Sequence, residues 1–190
     1  MKKFLAVILA VLMLLSVTAC GGKDDSANNA SGTDAGNVIA PTVEAGTLGE
    51  TMWNAFVAAK AENPAATTEE LANTLITNPA ILFMGGALPV EEGLLSGFGN
   101  YEVKGFTSGA MFAPMMSSIA FVGYVFELEE GADKAAFIAE LQNNCDPAWN
   151  ICVIADQTVI GAVDNTVFFL MCPNTLDSGE PAPEDGVIAE

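Results

Sequence analysis

The residues with chemistry to offer in this chain are four cysteines, eight methionines and 24 carboxylates; it contains no histidine. Cys145 and Cys152 bracket Asp-Pro-Ala-Trp-Asn-Ile. In an oxidising compartment, two cysteines so placed staple a short loop, worth about 2 kcal/mol by the chain-entropy argument; in an anaerobic host the same pair stays as two free thiols. Their spacing is not Cys-x-x-Cys and no basic residue adjoins them, which argues against a thiolate redox centre. Cys172 is expected unpaired. If the chain reverses at Asp164-Asn165 without a bulge, Cys172 faces Gln157 and Cys152 lies beyond the hairpin. Thiols without histidine make a poor zinc site. Met84, Met111, Met115 and Met116 are soft enough for Cu(I), but methionines flanked by Phe and Ala more commonly fill irregular core gaps.

Acid chemistry fares no better. Asp177-Ser178-Gly179 has the triplet of paired-carboxylate catalysis, yet it sits in a Pro-rich tail without a second copy. Glu69-Glu70, Glu91-Glu92 and Glu129-Glu130 are adjacent pairs, which point apart on a helix or a strand. None of Lys23, Lys60, Lys104 and Lys134 has a serine three residues before it, so the serine-lysine arrangement is missing. The glycines at 85, 86, 93, 97 and 99 fit no nucleotide-binding spacing, and no calcium loop is present. These residues point to no catalytic group, no cofactor and no metal.

Net charge narrows the partners. The formal net charge is −18, and without Lys2 and Lys3 it becomes −20. Nucleic-acid binding needs a basic footprint, so no nucleic acid is expected. Anionic headgroups repel such a chain as well.

The compartment is read from the leading segment. Lys2 and Lys3 precede twelve uninterrupted apolar residues, Phe4 to Leu15, a signal-peptide core that falls short of the about 20 residues needed to span a bilayer. The following Val17-Thr18-Ala19-Cys20 resembles the lipobox of bacterial lipoproteins. That resemblance implies cleavage after residue 19, a diacylglycerol thioether on Cys20 and added acyl chains such as palmitate. Two or more chains anchor stably at about 0.8 kcal/mol per buried CH₂. Residues 20–46, rich in Gly, Ser, Asn, Asp and Ala, read as a disordered linker reaching about 28 Å. Residues 173–190 read as a disordered acidic tail.

Residues 47–172 are expected to form one α+β domain. Thr47 with Glu50, and Thr67 with Glu70, are capping-box signatures that open helices ending near Ala61 and Asn78-Pro79. Ile81 to Phe98 is too rich in glycine for a long element and reads as loop, with at most a short helix near Pro89 to Leu95. Tyr101 to Thr107 reads as an edge strand and Ile119 to Leu128 as an interior one. Asp133 opens a helix carrying Phe137, Ile138, Leu141 and Cys145 on one face. Ile151 to Ala155 and Thr166 to Cys172 read as strands, the latter returning from a turn at Asp164-Asn165. The sum is a β-α-β-β unit: a small antiparallel or mixed sheet of three or four strands, with the N-terminal helices packed on one face.

The lipobox followed by CGGKDD, the helical lead, the run SGAMFAPMMSSIAFVGYVFELEEGADKAAFIAELQ and the late NTVFFLMC strand are similar to small lipoproteins of anaerobic Firmicutes that carry a domain of unknown function. The likeness spans the signal and about residues 100–172. It implies an extracytoplasmic lipoprotein and carries over no activity.

The sequence therefore leads to a non-catalytic binding domain, held by the lipid on Cys20 at the outer face of the cytoplasmic membrane, with an envelope protein or other envelope component as partner. Its named interaction patch lies within 97–116, where Phe98, Tyr101, Phe106, Met111 and Phe112 alternate with glycine, core packing being the competing fate of most of them. The alternative is a small-molecule or cation-binding accessory lipoprotein of a transporter, for which a formed pocket with convergent polar groups would speak.

Overall fold

The structure, a computed structural model, describes residues 37–116 and 119–176. Cys20, the signal segment and the Asp177 triplet lie outside the described residues. In chain order the elements are β1 (Val38–Ile39), α1 (Leu48–Glu62), α2 (Thr68–Ile76), β2 (Gly85–Val90), β3 (Gly93–Leu94), β4 (Glu102–Val103), β5 (Ser108–Pro114), β6 (Val122–Glu127), α3 (Lys134–Asn144), β7 (Gln157–Val163) and β8 (Thr166–Cys172). The fold is α+β.

Local chemistry starts each helix. Thr47 Oγ1 accepts the Glu50 N–H at 3.3 Å and opens α1, while Glu50 turns back to the Gly46 N–H at 2.7 Å. At α2 the box is complete, because Thr67 and Glu70 each bond the other's backbone N–H, satisfying two of the donors a helix start leaves bare. Asp133 caps α3 by accepting the Ala136 N–H at 3.0 Å.

Six strands form one sheet in the order β1-β7-β8-β6-β5-β2, every neighbouring pair antiparallel, and β3 with β4 forms a separate two-stranded sheet. The Asp164-Asn165 turn sets β7 against β8 without a bulge, so Gln157 faces Cys172 as expected. Asp164 takes a φ of +53° at that turn, a left-handed conformation that Asp tolerates better than most side chains.

Alternation along the strands builds two cores. One face carries Phe112, Phe121, Val125, Phe168 and Leu170, covered by Met52, Trp53 and Phe56 of α1 and Leu71, Leu75 and Ile76 of α2. The other carries Tyr124, Phe126, Phe169 and Met171, covered by Phe137 and Leu141 of α3 and by Phe98, Val103 and Phe106 from the excursion around β3 and β4. The Tyr124 hydroxyl donates to Ser96 O at 2.9 Å, pinning that excursion to the sheet and satisfying a buried phenol.

The observed sheet corrects the expectation in four ways. It has six strands, plus the separate pair, where three or four were expected. Helices cover both faces, because β6 and β8 are apolar at both parities and each face needs a lid. Residues 81–98 contain β2 and β3. Pro89 is tolerated because β2 is the edge: the bond from Met115 N–H to Met84 O fixes the ladder phase, which turns Gly85, Ala87 and Pro89 outward. Residues 151–155 are loop, and the seventh strand starts at Gln157.

The domain also exceeds its expected bounds of 47–172. Val38 and Ile39 pair with β7, Leu48 N–H donates to Asn174 O at 2.8 Å, and Leu176 packs on the core.

Gly123 is the tightest seat in the sheet. It lies opposite Phe112 on β5, and a Cβ there would overlap the Phe112 ring, which itself packs on Phe121 and Phe168. Gly123→Ala is expected to lower unfolding free energy by about 1–3 kcal/mol, read as a lower urea midpoint at unchanged slope. An unchanged midpoint would contradict this packing.

Candidate functional site

Charge is distributed unevenly along the folded chain. Between residues 37 and 176 there are sixteen carboxylates and three lysines, yet residues 71–90 and 105–126 carry no charge at all. The fold brings these two stretches together, since β2 comes from the first and β5 from the second. On the face opposite α2, Val90, Met111 and Ala113 pack only at the margin of the second core, and Leu88 and Met115 beside them stay exposed, since α3 packs over β7.

What is left is an open apolar groove of about 320 Å³, lined by Gly86, Leu88, Met111, Ala113 and Met115 among others. Met84 and Met116 beside it are 78% and 89% exposed. Single exposed apolar residues are unremarkable, but this set is contiguous on a strongly acidic domain. Its free edge, β2, offers the outward N–H groups of Gly85 and Ala87. Pro89, with no N–H, limits indiscriminate strand pairing there.

The interaction patch named from sequence does not assemble. Phe98 and Phe106 are buried in the α3-side core, in tilted ring contacts with Tyr124, Phe169 and Phe126. Phe112 is buried on the opposite face. Tyr101 is half-buried and donates its hydroxyl to Glu140 of α3 at 3.0 Å; desolvation, with that bond adding to it, raises its pKa. Met111 alone of the five reaches the groove. The reason is position: Phe98 and Phe106 lie in the excursion around β3 and β4 and fold back onto one face of the sheet, while Phe112 on β5 faces the other and its neighbour Met111 the groove side. Leu88, Met84 and Met115, which sequence reasoning passed over as groove residues, were signalled by the two charge-free stretches. Met84, Met115 and Met116 fill no core gap, contrary to expectation.

A second, polar cleft of about 280 Å³ lies at the α1–α2 connection, with Lys60, Thr67, Thr68, Ser108 and Glu127 in its wall. Lys60 is 6% exposed, and its Nζ donates to Pro64 O at 2.9 Å. Thr68 Oγ1 donates to Ser108 Oγ at 3.4 Å. Glu127 Oε2 accepts from Thr166 Oγ1 at 2.7 Å. Lys60 and Glu127 are not an ion pair; the pair among the described residues is Lys104–Glu102, which lowers the Glu102 pKa.

Cys145, Cys152 and Cys172 are free thiols, so the Cys145–Cys152 bridge is not made in this structure. Hydrogen bonds hold that loop instead: Asp146 N–H to Gly97 O at 2.8 Å, Trp149 N–H to Asp146 O at 3.0 Å and Ala155 N–H to Pro147 O at 2.9 Å. Cys152 is exposed, at a φ of +68°. Cys145 is half-buried, and desolvation raises its pKa. Burial pushes the Cys172 thiol up to about 12, with Asp156 adding to the shift.

Among the described residues, no helix is long and apolar enough to cross a membrane, and no group of three or more Cys, Asp or Glu is placed to hold a metal ion.

Thiol chemistry tests these placements. At mildly alkaline pH Ellman's reagent is expected to react quickly with Cys152, slowly with Cys145 and with Cys172 only after unfolding. Loss of reaction at both Cys145 and Cys152, restored by reductant, would show the bridge. Because the core accepts only the neutral Cys172 thiol, stability is intact below the ordinary thiol value of 9.0 and falls as pH rises toward about 12. Cys172→Val is expected to flatten that fall; an unaltered profile would contradict it. Comparison with protein-family models, with curated proteins and with solved structures returned no match.

Proposed function

We propose that the protein is a lipid-anchored extracytoplasmic lipoprotein, held at the outer face of the cytoplasmic membrane through Cys20, whose folded domain is a non-catalytic binding module for an envelope protein. The single observation that carries the binding role is the uncharged groove of Leu88, Met111 and Met115 on a domain of sixteen carboxylates and three lysines. The anchoring role rests on Val17-Thr18-Ala19-Cys20 behind an apolar run of signal length.

The partner's chemistry follows from the surface. An apolar ridge fills the groove, and basic residues at its rim meet the Glu91 and Glu92 carboxylates just past the end of β2. Acidity elsewhere on the domain disfavours contact with anionic headgroups and with acidic proteins, so the neutral groove is the surface with the least electrostatic cost of approach.

A second reading, a small-molecule-binding accessory lipoprotein of a transporter, is favoured by the polar cleft around Lys60.

Both halves of the first reading have a direct test. Cys20→Ser is expected to release a folded chain from membranes, and a variant that stays membrane-bound would overturn the anchor. A photo-crosslinker at Leu88 or Met115 in intact cells is expected to capture one discrete species that the same probe at Glu140 does not. Equal capture from all three positions, or capture from none, would overturn the groove as the binding surface.

A further inference from the structure

Lys60 is the side chain whose position is hardest to explain by packing alone. An ammonium has three donors and is costly to bury unless they are used. Lys60 is 6% exposed, and among the described residues its one hydrogen bond goes to Pro64 O. Its stem and head close the wall of the cleft at the end of α1. Across that cleft stand two hydroxyls, Thr68 Oγ1 and Ser108 Oγ, and the Glu127 carboxylate. Glu127 is itself held: Oε2 accepts from Thr166, leaving Oε1 without a hydrogen bond to the described residues. The two charges share one cavity without pairing to each other. An acceptor is wanted at one side of the cleft and a donor at the other.

We infer that the cleft lined by Lys60, Thr68, Ser108 and Glu127 is a binding site for a small zwitterion of the free amino-acid class, its carboxylate on Lys60 and its ammonium on Glu127. The Ser108 hydroxyl, which accepts from Thr68 Oγ1, keeps its own proton to donate a further hydrogen bond to the ligand. A volume of about 280 Å³ admits a molecule of that size. The charge of the domain makes the same selection. A simple anion is repelled by sixteen carboxylates, and a simple cation meets the Lys60 ammonium, whereas a zwitterion bears no net charge and satisfies both groups. This rests on the small-molecule reading and is independent of the apolar groove, which is lined by Leu88 of β2 and Met111 and Ala113 of β5 and shares no residue with this cleft.

The test is amide NMR on the full chain in detergent, titrated with pools of the twenty free amino acids at about 5 mM each, a level that detects dissociation constants in the millimolar range and below. Acetate and methylammonium at the same concentration serve as one-charge probes. At least one pool is expected to shift the amides of Lys60, Thr68, Ser108 and Glu127 saturably, while neither one-charge probe does. Lys60→Met and Glu127→Gln are each expected to weaken that binding about tenfold or more, as loss of one charge-assisted hydrogen bond requires. Lys60→Met keeps the apolar stem, so a melting temperature at or above that of the parent will show the loss is not unfolding; Glu127→Gln keeps the Thr166 contact and decides the matter if the first variant does not fold. The inference is overturned if no pool shifts these amides, if acetate alone shifts them as well as the amino acids do, or if affinity survives Glu127→Gln. None of these outcomes bears on capture from Leu88 or Met115, so failure here and failure of the groove are separable.

Discussion

The rest of the structure depends on the double-sided burial of β6 and β8. All seven residues of β8 are buried, and its pairing with β6 places Phe168 and Phe169 side by side but on opposite faces. A strand apolar at both parities needs cover above and below. One cover is α1 with α2, whose Phe56 stacks on Phe168 and whose Trp53 meets the same ring at a tilt. The other is α3 with the β3–β4 excursion, whose Phe98 packs at a tilt against Phe169. The aromatic contacts organise these layers beyond their buried area, each worth about 0.5–1.5 kcal/mol.

That constraint also determines what is left over. Three helices and one short excursion cover β6, β7 and β8 on both sides, but on the face away from α2 they reach β5 and β2 only at the margin, through Val90, Met111 and Ala113. The exposed residues of that face, Met84, Leu88, Met115 and Met116, all fall within the two stretches without charge, 71–90 and 105–126. In a chain this acidic, that neutral, apolar surface is the one we propose a partner covers. The edge strand there is short and carries Pro89, so contact is directed to the groove more than to open-ended sheet extension. The opposite edge of the sheet is β1, at the N-terminal start of the described residues.

Much of this fold was legible in the sequence wherever the signal was local. Thr47, Thr67 and Asp133 announced their helices, because capping chemistry acts within one turn. Asp164-Asn165 announced a hairpin whose register was right to the residue. What the sequence did not disclose was set by distant partners. Gly85, Gly86 and Pro89 look like loop residues in isolation, and they form a strand because β5 supplies the ladder and Ile76 occupies the space a Cβ on Gly85 would need. Val38-Ile39 is too short to stand out from a Gly- and Ala-rich linker, and pairing with β7 is what makes it a strand. The aromatic patch failed for a related reason: Phe98, Phe106 and Phe112 are near in sequence but lie on two faces of the sheet. The Lys60 cleft joins residues some 40 to 70 positions apart, and no spacing rule reaches that far.

The most direct test of the central claim, that the neutral β2–β5 surface is where the protein meets its partner, is hydrogen exchange at the outward edge of β2. The Gly85 and Ala87 amides face no strand in the isolated domain and are expected to exchange rapidly in the purified chain. In membranes from the native cell the account predicts that both become protected together with their neighbours on β5, while the equally exposed loop at Ile151 to Ile154 does not. Equal and rapid exchange at β2 in both preparations would contradict it.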